Sequence, residues 1–99
     1  MTQKPTTPPA RAVALRYDGT SAPRVTAKGT GEVADYILAV AREHGIPLHE
    51  NAHLVTLLAQ LDLGDEVPAA LYTAVAEVLA FAYYISGKTP LDTGVASKE

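Results

Sequence analysis

Gly45 and Pro47 lie two residues apart, and no helix can run through both. Glycine adopts the left-handed backbone that closes a helix C-terminus, and proline lacks the N–H needed to carry a helix onward. Upstream of this stop, Val33, Ile37, Val40 and Ala41 recur at helical spacing and form one apolar face. Thr30 suits the N-cap, while Glu32 and Asp35 place negative charge in the first turn, where the helix dipole favours it. A helix is therefore predicted over this stretch, with His44 complementing the dipole at its C-terminal end. Residues 46–49, IPLH, are left as a short extended segment.

That stop governs the reading of a motif. Residues 49–53 read HENAH, which fits H-E-x-x-H, the zinc-hydrolase signature. The chemistry needs two histidines one turn apart on one helix, with the glutamate as general base on the metal-bound water. Asn51 is the natural N-cap of a new helix carrying Leu54, Leu57, Leu58 and Leu61. His49 and His53 then fall on different backbone geometries, no histidine follows them, and Glu66 and Glu77 belong to other elements. HENAH is read as a chance match, so no metal, cofactor or hydrolytic activity is expected.

The remaining elements follow from local pattern. Residues 12–17, AVALRY, form an apolar run ending at Asp18-Gly19, and residues 24–28, RVTAK, alternate enough for a second strand across a turn-rich DGTSAP. Pro68 suits the first position of the last helix, whose face Leu71, Val75, Val78, Leu79 and Ala82 is broadened by Tyr72, Ala76 and Tyr83. That helix is expected to be buried around much of its circumference. VPAALYTAVAEVLAFAYYI is long enough to span a bilayer, but Glu77 at its centre and its alanine content favour a core helix. Residues 1–10, with Pro5, Pro8, Pro9 and several threonines, read as a flexible leader, and residues 86–99 as a mobile tail.

The order strand, strand, helix, strand, helix, helix predicts an α/β fold: a small mixed sheet of about three strands flanked by three helices, within one domain over residues 11–85. Hydrophobic residues make up 47% of the 99-residue chain, enough for a core, and the absence of cysteine excludes disulfides and thiolate sites. Lys4, Arg11, Arg16, Arg24 and Lys28 are too dispersed for a nucleic-acid footprint. The start of the sequence has no apolar signal region, and no nucleophile-elbow or phosphate-loop pattern occurs.

Taken together, AVALRYDGTSAPRVTAKGTGEVADYILAVAREHGIPLHENAHLVTLL and VPAALYTAVAEVLAFAYYI resemble the cytoplasmic C-terminal domain of the FlhB/YscU family, the switch proteins of flagellar and virulence type III export. The resemblance covers roughly residues 11–85 and rests on ordered blocks, among them A-P-x-V-x-A-K-G, R-E-H-G-I-P and P-A-x-L-Y-x-A-V-A-E-V-L. Family members cleave themselves within Asn-Pro-Thr-His just ahead of the first strand. The corresponding positions here are Thr7, Pro8, Pro9 and Ala10, with neither the cyclising asparagine nor the histidine.

The resemblance implies a free-standing counterpart of the already cleaved domain, acting without catalysis in flagellar export. It places a substrate-docking patch on Ala22, Pro23, Ala76 and Leu79. The implied partners are the export gate, export substrates and the membrane-domain fragment of the switch protein, met in the cytoplasm and at the membrane only through those partners. The family also carries a strand upstream of its cleavage motif, which the proline-rich residues 1–9 cannot replace. The sheet is therefore expected to expose an edge, able to accept a strand from a partner. The alternative function is a soluble binding module of the same fold acting outside export.

Overall fold

Residues 12–15 alternate small and large apolar side chains, Ala12 and Ala14 with Val13 and Leu15, and this alternation organises the molecule. The computed structural model describes residues 10–87 and 91–97. Strand β1 (Arg11–Tyr17) is followed by β2 (Arg24–Thr30), α1 (Glu32–Glu43), β3 (Leu48–Glu50), α2 (Ala52–Leu58), a 3-10 turn (Ala69–Leu71), α3 (Tyr72–Ser86) and β4 (Leu91–Ser97). The sheet runs in the order β2-β1-β4-β3. β1 is antiparallel to both neighbours, and β3 is parallel to β4. The α/β class and the three helices are as the sequence predicts, with four strands in place of about three.

The two faces of the sheet carry different cores. On one face, Ala12 and Ala96 meet Ala34 and Leu38 of α1. On the other, Val13, Leu15, Val25 and Val95 pack against Leu54, Val55 and Leu58 of α2 and against Val75 and Val78 of α3. A strand covered on both faces loses the polar-apolar alternation of a half-exposed one, which is why AVALRY reads as a continuous apolar run.

Local chemistry explains the element boundaries. His44 caps α1 at its C-terminus, the Gly45 N–H donates to Arg42 O, and the Ile46 N–H donates to Ala41 O. With Gly45 at φ +68°, this is a Schellman termination. Asn51 caps α2 through its side-chain oxygen, which accepts the Leu54 N–H at 2.9 Å. His49 accordingly lies in β3, edge-on to the Phe81 ring, and His53 in the first turn of α2.

Several expectations need correction. The N-cap of α1 is Gly31 at φ +58°, not Thr30, because Thr30 is taken up as the last residue of β2 opposite Arg11. The buried face of α1 is Ala34, Leu38 and Ala41, while Val33 is exposed. The helix lies over the alanines of the sheet, so small side chains fill the contact. Val33 instead covers Gly29, where any side chain would collide with it. Pro68 precedes a 3-10 turn and is not the first residue of an α-helix. α3 buries only the stripe Val75, Val78 and Ala82, leaving Tyr72, Phe81, Tyr83, Tyr84 and Ile85 exposed. Ala69–Ser86 has the length and composition to cross a membrane, but that stripe is packed on the sheet.

The largest correction concerns the expected tail over residues 86–99. Ser86 closes α3, and residues 91–97 form β4 in the middle of the sheet. β4 pairs with β1 on the side away from β2, so β1 has a neighbour on both sides. The expected leader, including Thr7, Pro8 and Pro9, lies outside the described residues apart from Ala10, whose carbonyl accepts the Gly31 N–H at 2.8 Å.

Candidate docking groove

The candidate site begins at the turn leaving β1. Asp18 accepts the backbone N–H groups of Thr20 (2.9 Å) and Ser21 (3.0 Å) and the hydroxyl of Thr20 (3.1 Å), folding DGTS into a tight knot. These donors, led by the Ser21 and Thr20 N–H groups, hold the Asp18 carboxyl well below the usual carboxylate range. Beyond the knot, the buried Pro23 is fixed by its carbonyl, which accepts the Val67 N–H at 2.8 Å. The 64–67 segment is clipped along β2 by Val25 N–H to Asp65 O (3.0 Å), Gly64 N–H to Val25 O (2.7 Å) and an Arg24–Glu66 ion pair (2.8 Å). Ala22 and Pro23 are thus held rigidly against the sheet.

The opposite wall is α3. Tyr72, Ala76, Leu79, Ala80 and Tyr83 recur along one stripe of that helix, beside the stripe that enters the core. Between this stripe and the 17–23 turn lies an open groove of about 640 Å³, with Tyr17 of β1 and Leu91 of β4 also in its lining. Ala76 is exposed, Leu79 and Ala22 are half-buried, and Tyr72 and Tyr83 stand half exposed at the sides. Among the described residues, the polar side-chain groups in the lining are hydroxyls, from Thr20, Ser21 and the three tyrosines. Such a surface recognises apolar side chains, with hydroxyls placed to orient them.

All four residues assigned to the docking patch, Ala22, Pro23, Ala76 and Leu79, line this one groove. The sequence reading missed its flanks. Tyr72 and Tyr83 were taken as extra core, and Leu91 belongs to the unexpected strand. The available signal was a surplus of apolar positions on α3, more than a single buried stripe requires. Glu77 is exposed, so the helix carries its carboxylate into water. Among the described residues there is no group of three or more His, Asp or Glu side chains able to hold a metal ion.

A mixed sheet flanked by three helices, with an apolar groove between the 17–23 turn and α3, defines a small α/β domain. The sequence profile of the FlhB HrpN YscU SpaS family matches residues 6–82. The chain is 43% identical to YlqH of Bacillus subtilis over 98 residues, covering 97% of this chain and 99% of that protein. It is 48% identical over 83 residues to the flagellar biosynthetic protein FlhB of Yersinia enterocolitica, and 41% identical over 83 residues to FlhB of Salmonella typhimurium. In both FlhB comparisons it covers 81% of its own length and 22% of the relative's. The chain therefore belongs to the FlhB HrpN YscU SpaS family, corresponding to the C-terminal domain of FlhB.

Proposed function

We propose that this chain is a non-enzymatic component of type III protein export that docks apolar segments of export substrates or of the export gate in the groove between the 17–23 turn and α3. It acts on the cytoplasmic side of the apparatus and reaches the membrane only through its partners. The observation that carries this reading is the convergence of Ala22, Pro23, Ala76 and Leu79 on one preformed groove in a chain of this family. Thr7 has no carboxamide to attack its own carbonyl, and Ala10 has no imidazole to assist, so self-cleavage is outside this chain's chemistry.

The test is a pull-down with purified export substrates and cytoplasmic domains of the gate, comparing the native chain with Ala76→Glu. Ala76 is exposed, so the substitution leaves the fold intact while placing a charge in an apolar groove. Capture by the native chain and loss with Ala76→Glu supports docking. Equal capture by both moves the interaction off the groove, and no capture from either export class favours a binding role outside export. Intact mass after purification checks the absence of cleavage.

A further inference from the structure

α3 is apolar almost all round, yet only the stripe Val75, Val78 and Ala82 enters the core. Tyr84 is 87% exposed, Ile85 55%, Tyr83 51%, Tyr72 50% and Phe81 44%. At about 200 Å² for each aromatic side chain, the four rings alone leave about 450 Å² in water, which is already a large patch for a monomer. Ile85 and the exposed Ala74, Ala76 and Ala80 bring the face to about 600 Å². Two such faces bury about 1,200 Å² together, the lower bound of a standard specific interface.

The distribution of side-chain size along the helix identifies what covers it. Thr73, Ala76, Ala80 and Tyr84 follow one another at helical spacing on the side of α3 opposite the buried stripe. The N-terminal half of this face is small, with Thr73, Ala74 and Ala76, and the C-terminal half is bulky, with Phe81, Tyr83 and Tyr84. A two-fold interface has to complement itself, residue i of one copy meeting j of the other and j meeting i. This gradient does so when two helices run antiparallel about an axis at Ala80. We propose that the outer face of α3 is a homodimer surface, in which the tyrosine end of each helix packs over the alanine end of the other. In that register Tyr83 and Tyr84 cover Ala76 of the other copy, and Tyr84 donates its hydroxyl to the exposed Glu77 carboxylate beside it. Glu77 in the middle of the face opposes burial in a lipid surface, whereas a tyrosine hydroxyl satisfies it. Ala76, Ala80 and Tyr83 also line the docking groove, so the dimer covers one wall of it. Competition between dimer and docked segment rests on the docking reading; the dimer does not.

Sedimentation equilibrium of the intact chain, from micromolar to millimolar concentration, tests this. A reversible dimer is expected. Tyr84→Glu lies outside both the core and the groove lining, and it sets a carboxylate against Glu77 of the other copy. It should weaken the dimer at least tenfold while leaving thermal unfolding and partner capture unchanged. Adding Glu77→Lys to Tyr84→Glu turns the repulsion into an ion pair and should recover most of the loss. A native chain that stays monomeric, a dimer indifferent to Tyr84→Glu, or no recovery in the double variant overturns the proposal. A monomeric chain that instead binds phosphatidylcholine vesicles gives the face to a lipid surface and overturns it equally. Partner capture that is lost with Ala76→Glu in a chain showing no dimer would sustain docking and sink dimerisation alone.

Discussion

Val13 of β1 and Val95 of β4 stand directly opposite one another in the central strand pair, and neither exposes any surface. Both side chains point into the core shared with α2 and α3. The pair joins the first strand of the described chain to the last. Val95→Ala removes two methyl groups from a site that cannot collapse easily, so a loss of about 2–3 kcal/mol is expected. A residue in a loose tail would change stability by less than about 0.5 kcal/mol. Urea unfolding with an unchanged m-value distinguishes the two.

The Asn51 cap gives a sharper test of local structure. Its side chain accepts the Leu54 N–H, and its backbone is extended at φ −159°. Asn51→Ala should cost about 1 kcal/mol, and Asn51→Gly only a few tenths, because glycine leaves the orphan N–H open to water. Equal losses for the two would place the effect outside the cap. Thermal unfolding of both variants provides the comparison.

These two residues also mark what was legible in the sequence and what was not. Asn51, Gly45 and Pro47 act through the backbone within a few positions, so their roles can be read without knowing the fold. Val95 cannot be read this way. LDTGVAS lacks the alternation of a half-exposed strand because both faces of β4 are covered, and its polar Thr93 is satisfied only by the distant Pro47 carbonyl. The face of α1 was misassigned for a related reason. Helical spacing admits both the Val33-Ile37-Val40 stripe and the Ala34-Leu38-Ala41 stripe, and only the alanine surface contributed by Ala12 and Ala96 decides between them. The groove was legible in part, since family motifs pointed to Ala22, Pro23, Ala76 and Leu79. The tyrosines beside them look like core residues until the helix is seen to bury one stripe.

The Asp18 knot should persist far into acid. Its carboxyl is depressed from the ordinary value of 3.8 by the hydrogen bonds from Ser21 and Thr20. A depressed folded value means that the contribution to stability is complete above the unfolded value and fades only as pH falls through the folded one. Carboxyl chemical shifts followed by NMR should show Asp18 still ionised at about pH 3, where half or more of ordinary aspartates are protonated. Asp18→Ala should loosen residues 18–22 in amide exchange while leaving the strand register intact. Titration of Asp18 at the ordinary value would contradict the hydrogen-bonded turn.

Leu79 and Ala76 separate stability from binding within the groove. Leu79 is half-buried and touches the core cluster on one side and the groove on the other, whereas Ala76 is exposed. Leu79→Ala should therefore lower stability by about 1–2 kcal/mol, below the range for a fully buried leucine, and weaken docking as well. Ala76→Glu should shift stability by less than about 0.5 kcal/mol and weaken docking at least tenfold, since a bound apolar segment would desolvate the new carboxylate. Because the described residues of the groove present hydroxyls and apolar groups but no ionised side chain, the native affinity should change little between 0.05 and 0.5 M salt, about a threefold span in Debye length. Calorimetric titration against a captured partner, run beside urea unfolding, reads both quantities. Loss of binding confined to Leu79→Ala would mean that the partner responds to the fold of α3, and the groove itself would not be the contact.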